Sequence, residues 1–173
     1  SDAFRPLRVL LNTFFKNAHS RLPFPSVASF YQALKAGTTD HHNPIFYVSS
    51  SPWNLYDFIT EFFKVHDIPA GPIFLQDIGI GPSQLFTYEH ADHKGRYIQQ
   101  LLTDFPDLKF ILIGDSGQHD PHIYAHTVED YPDRIAAIYI RDVRPGQRTA
   151  EINALIEATA KHNVDMLLVP DTL

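Results

Sequence analysis

Phe110-Ile111-Leu112-Ile113-Gly114-Asp115-Ser116-Gly117-Gln118-His119-Asp120-Pro121 is the stretch whose reading decides the fold of this chain. Its four leading residues are all apolar, too few for a helix of their own, and they stop at a glycine and an acid. A strand covered on both faces ends this way when it runs into a loop. Pro121 then occupies a position favoured at the start of a helix, because a first-turn residue needs no backbone N–H. Strand, polar loop and helix make half of a βαβ unit.

The same unit recurs on either side. Toward the N-terminus, Ile45-Phe46-Tyr47-Val48 ends abruptly in Ser49-Ser50-Ser51-Pro52, and Ile73-Phe74-Leu75 ends at Gln76-Asp77. Toward the C-terminus, Ile135 to Ile140 and Met166 to Val169 are two further β-rich runs. Between the strands lie helical patterns. One starts near Asn54 with Leu55, Phe58, Ile59, Phe62 and Phe63, and stops before Pro69-Ala70-Gly71-Pro72. Another is opened by Lys94 and carries Tyr97, Ile98, Leu101 and Leu102. A third follows Pro121, and a fourth spans Thr149 to His162. Ahead of the first strand the spacing predicts a helix over Arg5 to Lys16. After the breaks at Pro23 and Pro25, a second helix is expected to be capped by Ser26 and closed by Gly37. Strands alternating with helices at this spacing predict right-handed crossovers, and hence a doubly wound α/β domain with a mainly parallel sheet. The phenylalanines at 58, 62 and 63 are expected in its core.

Composition narrows the class. A chain of 173 residues suits one domain, residues 1–173, and 44% hydrophobic residues supply a core for it. A formal net charge of -6 argues against gripping nucleic acid by bulk charge. The absence of cysteine excludes disulfides, thiolate metal sites and cysteine nucleophiles. No apolar run approaches the roughly 18 residues of a membrane helix, and no signal peptide is visible, so a soluble, cytoplasmic protein is expected. Ser1 stands where a Met would start a chain, and the last strand stops almost at Leu173. The expectation is a segment of a longer protein.

In doubly wound sheets, ligands bind outside the carboxyl ends of the strands. The residues there are Ser49-Ser50-Ser51, Asp77 and Asp115-Ser116, with His93-Lys94 at the helix leading into the third strand. Hydroxyls and an ammonium can hold phosphate oxygens, and a carboxylate can bind a hard cation such as Mg²⁺. Asp120 lies five residues past Asp115, so a loop can bring both carboxylates to the rim. Gly-Asp after a strand is also ordinary turn chemistry, and Asp120 at a helix start is also an ordinary cap.

Four strings bear a closer likeness. Phe46-Tyr-Val-Ser-Ser-Ser-Pro-Trp-Asn-Leu-Tyr-Asp57, His93-Lys94, Ile113-Gly-Asp-Ser-Gly-Gln-His-Asp-Pro121 and Ile138-Tyr-Ile-Arg-Asp142 resemble, in order, the catalytic domain of the actin-patch-type phosphatidate phosphatases. Leu22-Pro-Phe-Pro25 with Phe30-Tyr31 fits the early part of that family, which belongs to the haloacid dehalogenase-like superfamily. The resemblance implies a haloacid dehalogenase-like Rossmannoid fold and a Mg²⁺-dependent phosphatase acting on a phosphomonoester. It implies Ser49, with Ser50 as fallback, as the hydroxyl on a phosphoryl oxygen, and Lys94 as the cation that neutralises the phosphoryl group. It implies Asp115 as the Mg²⁺ ligand, with Asp120 supporting the metal or orienting Lys94, and His119 as a substrate contact. The family's reaction is attack by an aspartate carboxylate on phosphorus, forming an aspartyl-phosphate that water hydrolyses. The superfamily's Asp-x-Asp-x-Thr motif, which ends the central first strand and supplies that nucleophile, has no match in these 173 residues. The expectation is that the motif belongs to the parent protein and that this segment alone is inactive.

The remaining signals have plainer readings. His122 and His126, at i and i+4, could share a metal, but no zincin-type glutamate stands between them and exposed histidines are the default. Trp53 is expected to pack and Asn54 to cap a helix, with head-group contact as the other reading. Arg141-Asp142 and Arg144 read as a solvated strand end. Leu85, Phe86 and Tyr88, in the stretch Gly79 to Asp92, are candidates for a lid that touches a phosphorylated small-molecule or lipid substrate, with peripheral membrane contact. The competing functions are a phosphoryl-binding or scaffold module without turnover, and a serine hydrolase, against which the lack of Gly-x-Ser-x-Gly argues.

Overall fold

The structure is a computed structural model that describes residues 25–37, 42–76, 88–143 and 145–170. The helix expected over Arg5 to Lys16, together with Asp77, Leu85, Phe86 and Arg144, lies outside the described residues. Residues group into two compact units, one of Ser1–Ile45 and Asp57–Pro72, the other of Phe46–Tyr56 and Ile73–Leu173.

The first unit holds helix α1, Pro25–Ala36, and most of helix α2, Tyr56–Val65. Helix α1 begins at Pro25, so Ser26 lies inside its first turn rather than capping it. Gly37 closes it as the spacing requires: its φ of 65° is left-handed, and its N–H donates to the Ala33 carbonyl at 3.1 Å. Gln32 Nε2 donates to the Asp67 carbonyl at 2.7 Å and Lys35 Nζ to the Ala70 carbonyl at 3.4 Å, so polar side chains of α1 hold the segment after α2. Helix α2 starts two residues later than Asn54, after a 3₁₀ turn over Trp53–Leu55. None of its residues is fully buried, and Phe58 is exposed, which corrects the expectation that its phenylalanines form the core.

The second unit carries the described strands and the candidate site residues. Strand β1 (Tyr47–Pro52) pairs in parallel with β2 (Ile73–Gln76); β3 (Phe110–Asp115), β4 (Ile135–Asp142) and β5 (Asp165–Pro170) form a second parallel sheet in that order. The helices between them are α3 (Tyr88–Asp104), α4 (Asp120–Asp130) and α5 (Thr149–Ala160). The α/β alternation is the one the sequence predicts, with the described strands split over two sheets rather than joined in one. One edge of β1 and one edge of β3 have no ladder partner among the described residues. Two boundaries differ in ways that matter for the site. Strand β1 runs on through all three serines to Pro52, and α3 begins six residues before Lys94, placing that lysine in its second turn rather than at its mouth. The run Tyr88 to His93 contains no breaker, so the helix extends back through it.

The core is made where β3 to β5 meet α3 and α4: Ile98, Leu102, Leu112, Val128, Ile138 and Ile140 are buried together. Strand β4 is central in its sheet and supplies the two most enclosed isoleucines, 138 and 140. Burying such a side chain contributes about 1.5–3 kcal/mol.

Candidate active site

The carboxyl end of β3 builds the site. Gly114 precedes Asp115, and a β-carbon on Gly114 would lie 2.5 Å from Asp120 Oδ2 and 2.7 Å from Asp120 Cβ. Only a glycine lets the Asp120 side chain fold back against the strand end. There Asp120 Oδ2 accepts the Asp115 N–H at 3.2 Å, while Oδ1 accepts from Lys94 Nζ of α3 in a short ion pair. Both members are buried, Lys94 at 8% exposure and Asp120 at 5%. A charge leaves water at a large cost unless a partner meets it, so each of these residues explains the other's position. Asp120 is also the first residue of α4 with Pro121 behind it, where a carboxylate suits the positive end of the helix dipole.

Asp115 points a carboxylate at the loop that follows: its Oδ1 accepts the Gly117 N–H at 2.8 Å. Gly117 is needed there, because a β-carbon would sit 2.9 Å from Val143 Cγ2 and 3.0 Å from that same Asp115 oxygen. Ser116 is almost completely buried, its Oγ donating to Asp142 Oδ1 at 3.0 Å and accepting the Val143 N–H at 3.0 Å. Asp142 is therefore a buttress of the loop, and not the solvated strand end that the sequence implies.

Ser49 lies on β1, where the register with β2 breaks between Val48 and Pro52. Within that irregularity the Ser51 N–H turns to Ser49 Oγ at 3.1 Å. Irregularities of this kind re-aim side chains at strand ends. Val48, immediately before Ser49, lines a cavity of about 90 Å³ with Lys94, Ile98, Leu102, Leu112 and Tyr124. Small-molecule sites run to about 300–1,000 Å³. This cavity is smaller than that range. No hydrogen bond among the described residues joins the Ser50 hydroxyl or the His119 ring to the Lys94–Asp120 pair. His119 is exposed and serves α4 through its carbonyl, which accepts from His122 and Ile123 N–H groups. Trp53 is 62% exposed and does not pack as expected.

Two residues that sequence reasoning missed complete the surroundings. Arg148, just before α5, donates through Nη1 to the carbonyls of Gln118 at 2.7 Å and Ser116 at 3.2 Å. The same guanidinium grips Glu151 through Nε at 2.8 Å and Nη2 at 3.0 Å, and Glu151 also meets His122 Nε2 in a short contact. The hydrogen bonds from Arg148 and then His122 hold the Glu151 carboxyl at about 2, below its ordinary 4.5. The only sequence signal was an Arg and a Glu three apart at a helix start, too common to single out. His126 lies against Glu129 and Asp130 within α4, while His122 meets Glu151 of α5.

No group of three or more metal-ligating side chains gathers among the described residues. Mg²⁺ asks for less, since it commonly binds through one or two carboxylates and keeps the rest of its shell for water and phosphate. Asp115, half-buried at the rim with Oδ1 accepting the Gly117 N–H, is the carboxylate that would hold such an ion; Asp120 has both oxygens engaged by Lys94 and the Asp115 N–H.

A family model described as "Phosphatidate phosphatase APP1, catalytic domain" matches residues 1–142. The chain belongs to this family. It is 40% identical over 96 residues to "Phosphatidate phosphatase APP1" of Saccharomyces cerevisiae, an alignment covering 56% of this chain and 16% of the yeast protein. It is 33% identical over 106 residues to "Uncharacterized protein C29B5.04c" of Schizosaccharomyces pombe, covering 61% of this chain and 17% of that protein. The chain thus spans about one sixth of the length of these two relatives, and no solved structure matches it. Arg148 and Glu151 lie beyond the matched region. No helix among the described residues is long and apolar enough to cross a membrane.

Proposed function

We propose that these residues form the greater part of the catalytic domain of a Mg²⁺-dependent phosphatidate phosphatase, which hydrolyses a phosphomonoester to diacylglycerol and phosphate. The observation that carries this reading is the buried Lys94–Asp120 pair set against the backbone of Asp115 at a strand's carboxyl end, in a chain of this family. In the reaction an aspartate carboxylate from outside this segment attacks phosphorus, the bond from phosphorus to the ester oxygen breaks, and diacylglycerol leaves with a proton donated by the second aspartic acid of the same Asp-x-Asp motif, which recovers one from the water of the next step. Water then cleaves the aspartyl-phosphate to carboxylate and inorganic phosphate.

The residues described here bind and orient. The Lys94 ammonium, fixed by Asp120, offsets the charge of the phosphoryl oxygens, and Ser49 Oγ donates a hydrogen bond to one of them. Asp115, as a Mg²⁺ ligand, would bring the ion's charge against the same group, with Asp120 as its support through Lys94. Ser50 and His119 would serve as secondary substrate contacts. The lipid's glycerol and acyl parts would extend from this rim toward a membrane face that the protein meets peripherally. A binding or scaffold module without turnover is the second reading, favoured by one observation: the 173 residues contain no Asp-x-Asp.

Phosphate release from phosphatidate in mixed micelles, by the full-length protein and by this segment, separates the readings. The phosphatase reading expects Mg²⁺-dependent release by the full-length protein, abolished by EDTA and by Lys94→Met, and none by the segment. Phosphatidate binding without release by the full-length protein would establish the module instead.

A further inference from the structure

Arg148 joins both sides of the loop that carries the acidic residues. On one side its Nη1 holds the carbonyls of Ser116 and Gln118. On the other, its carboxylate partner Glu151 reaches His122 in the first turn of α4. Asp120, the residue that fixes Lys94, lies between these two points of attachment, and Asp115 lies immediately before the first. Carbonyl oxygens bonded to a guanidinium cannot swing away without breaking charge-assisted hydrogen bonds, which are roughly twice as strong as neutral ones. The grip needs the planar fork: one guanidinium serves two carbonyls and two carboxylate oxygens at once, which a lysine's point charge does not. Arg148 and Glu151 together carry no net charge, so they add little field at the phosphate rim and act through position.

We propose that Arg148 is a positioning residue for the Asp115–Asp120 loop, holding it in the form that binds the divalent cation. This inference rests on the phosphatase reading above, and it concerns residues outside the region matched by the family model. A matched comparison exists in the same unit. Arg134 also ties carbonyls together, donating to Phe105 at 2.6 Å and to Leu108 at 2.9 Å and 3.0 Å, but at the opposite end of β3. It is a structural clamp of similar reach that does not touch the loop.

The test uses the full-length protein with Arg148→Met, Arg148→Lys and the milder Glu151→Gln, and Arg134→Met as the comparison. Two quantities are read: amide hydrogen exchange over 116–119 without metal, and Mn²⁺ affinity from the electron paramagnetic resonance of free Mn²⁺. Both Arg148 variants are expected to speed exchange in that loop and to weaken Mn²⁺ about tenfold or more, as loss of supporting partners does at metal sites. Arg134→Met should change neither, whatever it does to the melting temperature. Rescue by Arg148→Lys would overturn the positioning role in favour of charge. Unchanged exchange, or faster exchange with unchanged Mn²⁺ affinity, would overturn it outright. Should the Arg148 variants fail to fold, Glu151→Gln decides by the same two readouts. Wild-type protein that binds no Mn²⁺ would overturn the phosphatase reading instead, and the exchange data would still decide whether Arg148 fastens the loop.

Discussion

Replacing Lys94 by Met leaves the Asp120 carboxylate buried with the Asp115 N–H as its remaining partner. Replacing Asp120 by Asn keeps an acceptor for that N–H but sets an amide against a buried ammonium. With side-chain exposures of 10% and 7%, neither stranded charge reaches water freely, and each single change is expected to cost about 3–5 kcal/mol. The double variant strands no charge. Met fills the lysine's stem, and the unpaired Asn N–H₂ is the main defect left, costing about 1–3 kcal/mol. The double variant should therefore be more stable than either single one, with a coupling between the sites of at least about 3 kcal/mol. Urea unfolding of the four proteins, followed by far-UV circular dichroism at neutral pH, measures this. Single variants that each cost under about 1 kcal/mol, or a double variant as costly as the two singles added, would refute the reasoning. The result also separates stability from function, because the stable double variant is expected to have lost phosphate release.

Three further outcomes follow from the same geometry. Gly114→Ala drives a methyl into Asp120 and should cost about 1–3 kcal/mol of stability while lowering activity, because Asp120 must turn away from Lys94; unchanged melting and turnover would show that the close approach is not needed. Asp115→Asn should weaken Mg²⁺ dependence at least about 100-fold while leaving the melting temperature near that of wild type, measured by metal titration of phosphate release. Glu151 has its carboxyl lowered in the folded protein, so its contribution is complete above its ordinary 4.5 and disappears as pH falls through about 2. The melting-temperature deficit of Glu151→Gln should therefore hold steady from pH 7 to about 4.5 and close only near pH 2; a deficit already gone at pH 4.5 would contradict the assigned contacts.

The strands were legible because each is a short apolar, β-rich run closed by polar residues, glycine or proline, a pattern that depends only on local sequence; their division between two sheets was not. Helix starts were less so. Lys94 looked like the mouth of a helix because the residues before it lack an apolar face, yet Tyr88 to His93 are helical all the same. The phenylalanines of α2 show the converse: periodicity marks an apolar face but not how completely it is covered. Gly114, Asp115 and Asp120 could be singled out as candidates from spacing, and only the family likeness gave them roles. The buttresses could not, since Ser116–Asp142 and Arg148–Gln118 span 26 and 30 residues, and no local pattern encodes a contact at that range.

Trp53 has a spectroscopic consequence. It is the single tryptophan of these 173 residues, mostly exposed, and it comes immediately after the strand that carries Ser49, Ser50 and Ser51. Excited at the red edge, where tyrosine does not absorb, the segment emits from that one position, with the long-wavelength maximum and ready iodide quenching of a solvated indole. The emission is silent about the core and samples only the few ångströms around the end of β1, so a nearby phosphate ester, detergent or bilayer would be read out without any label.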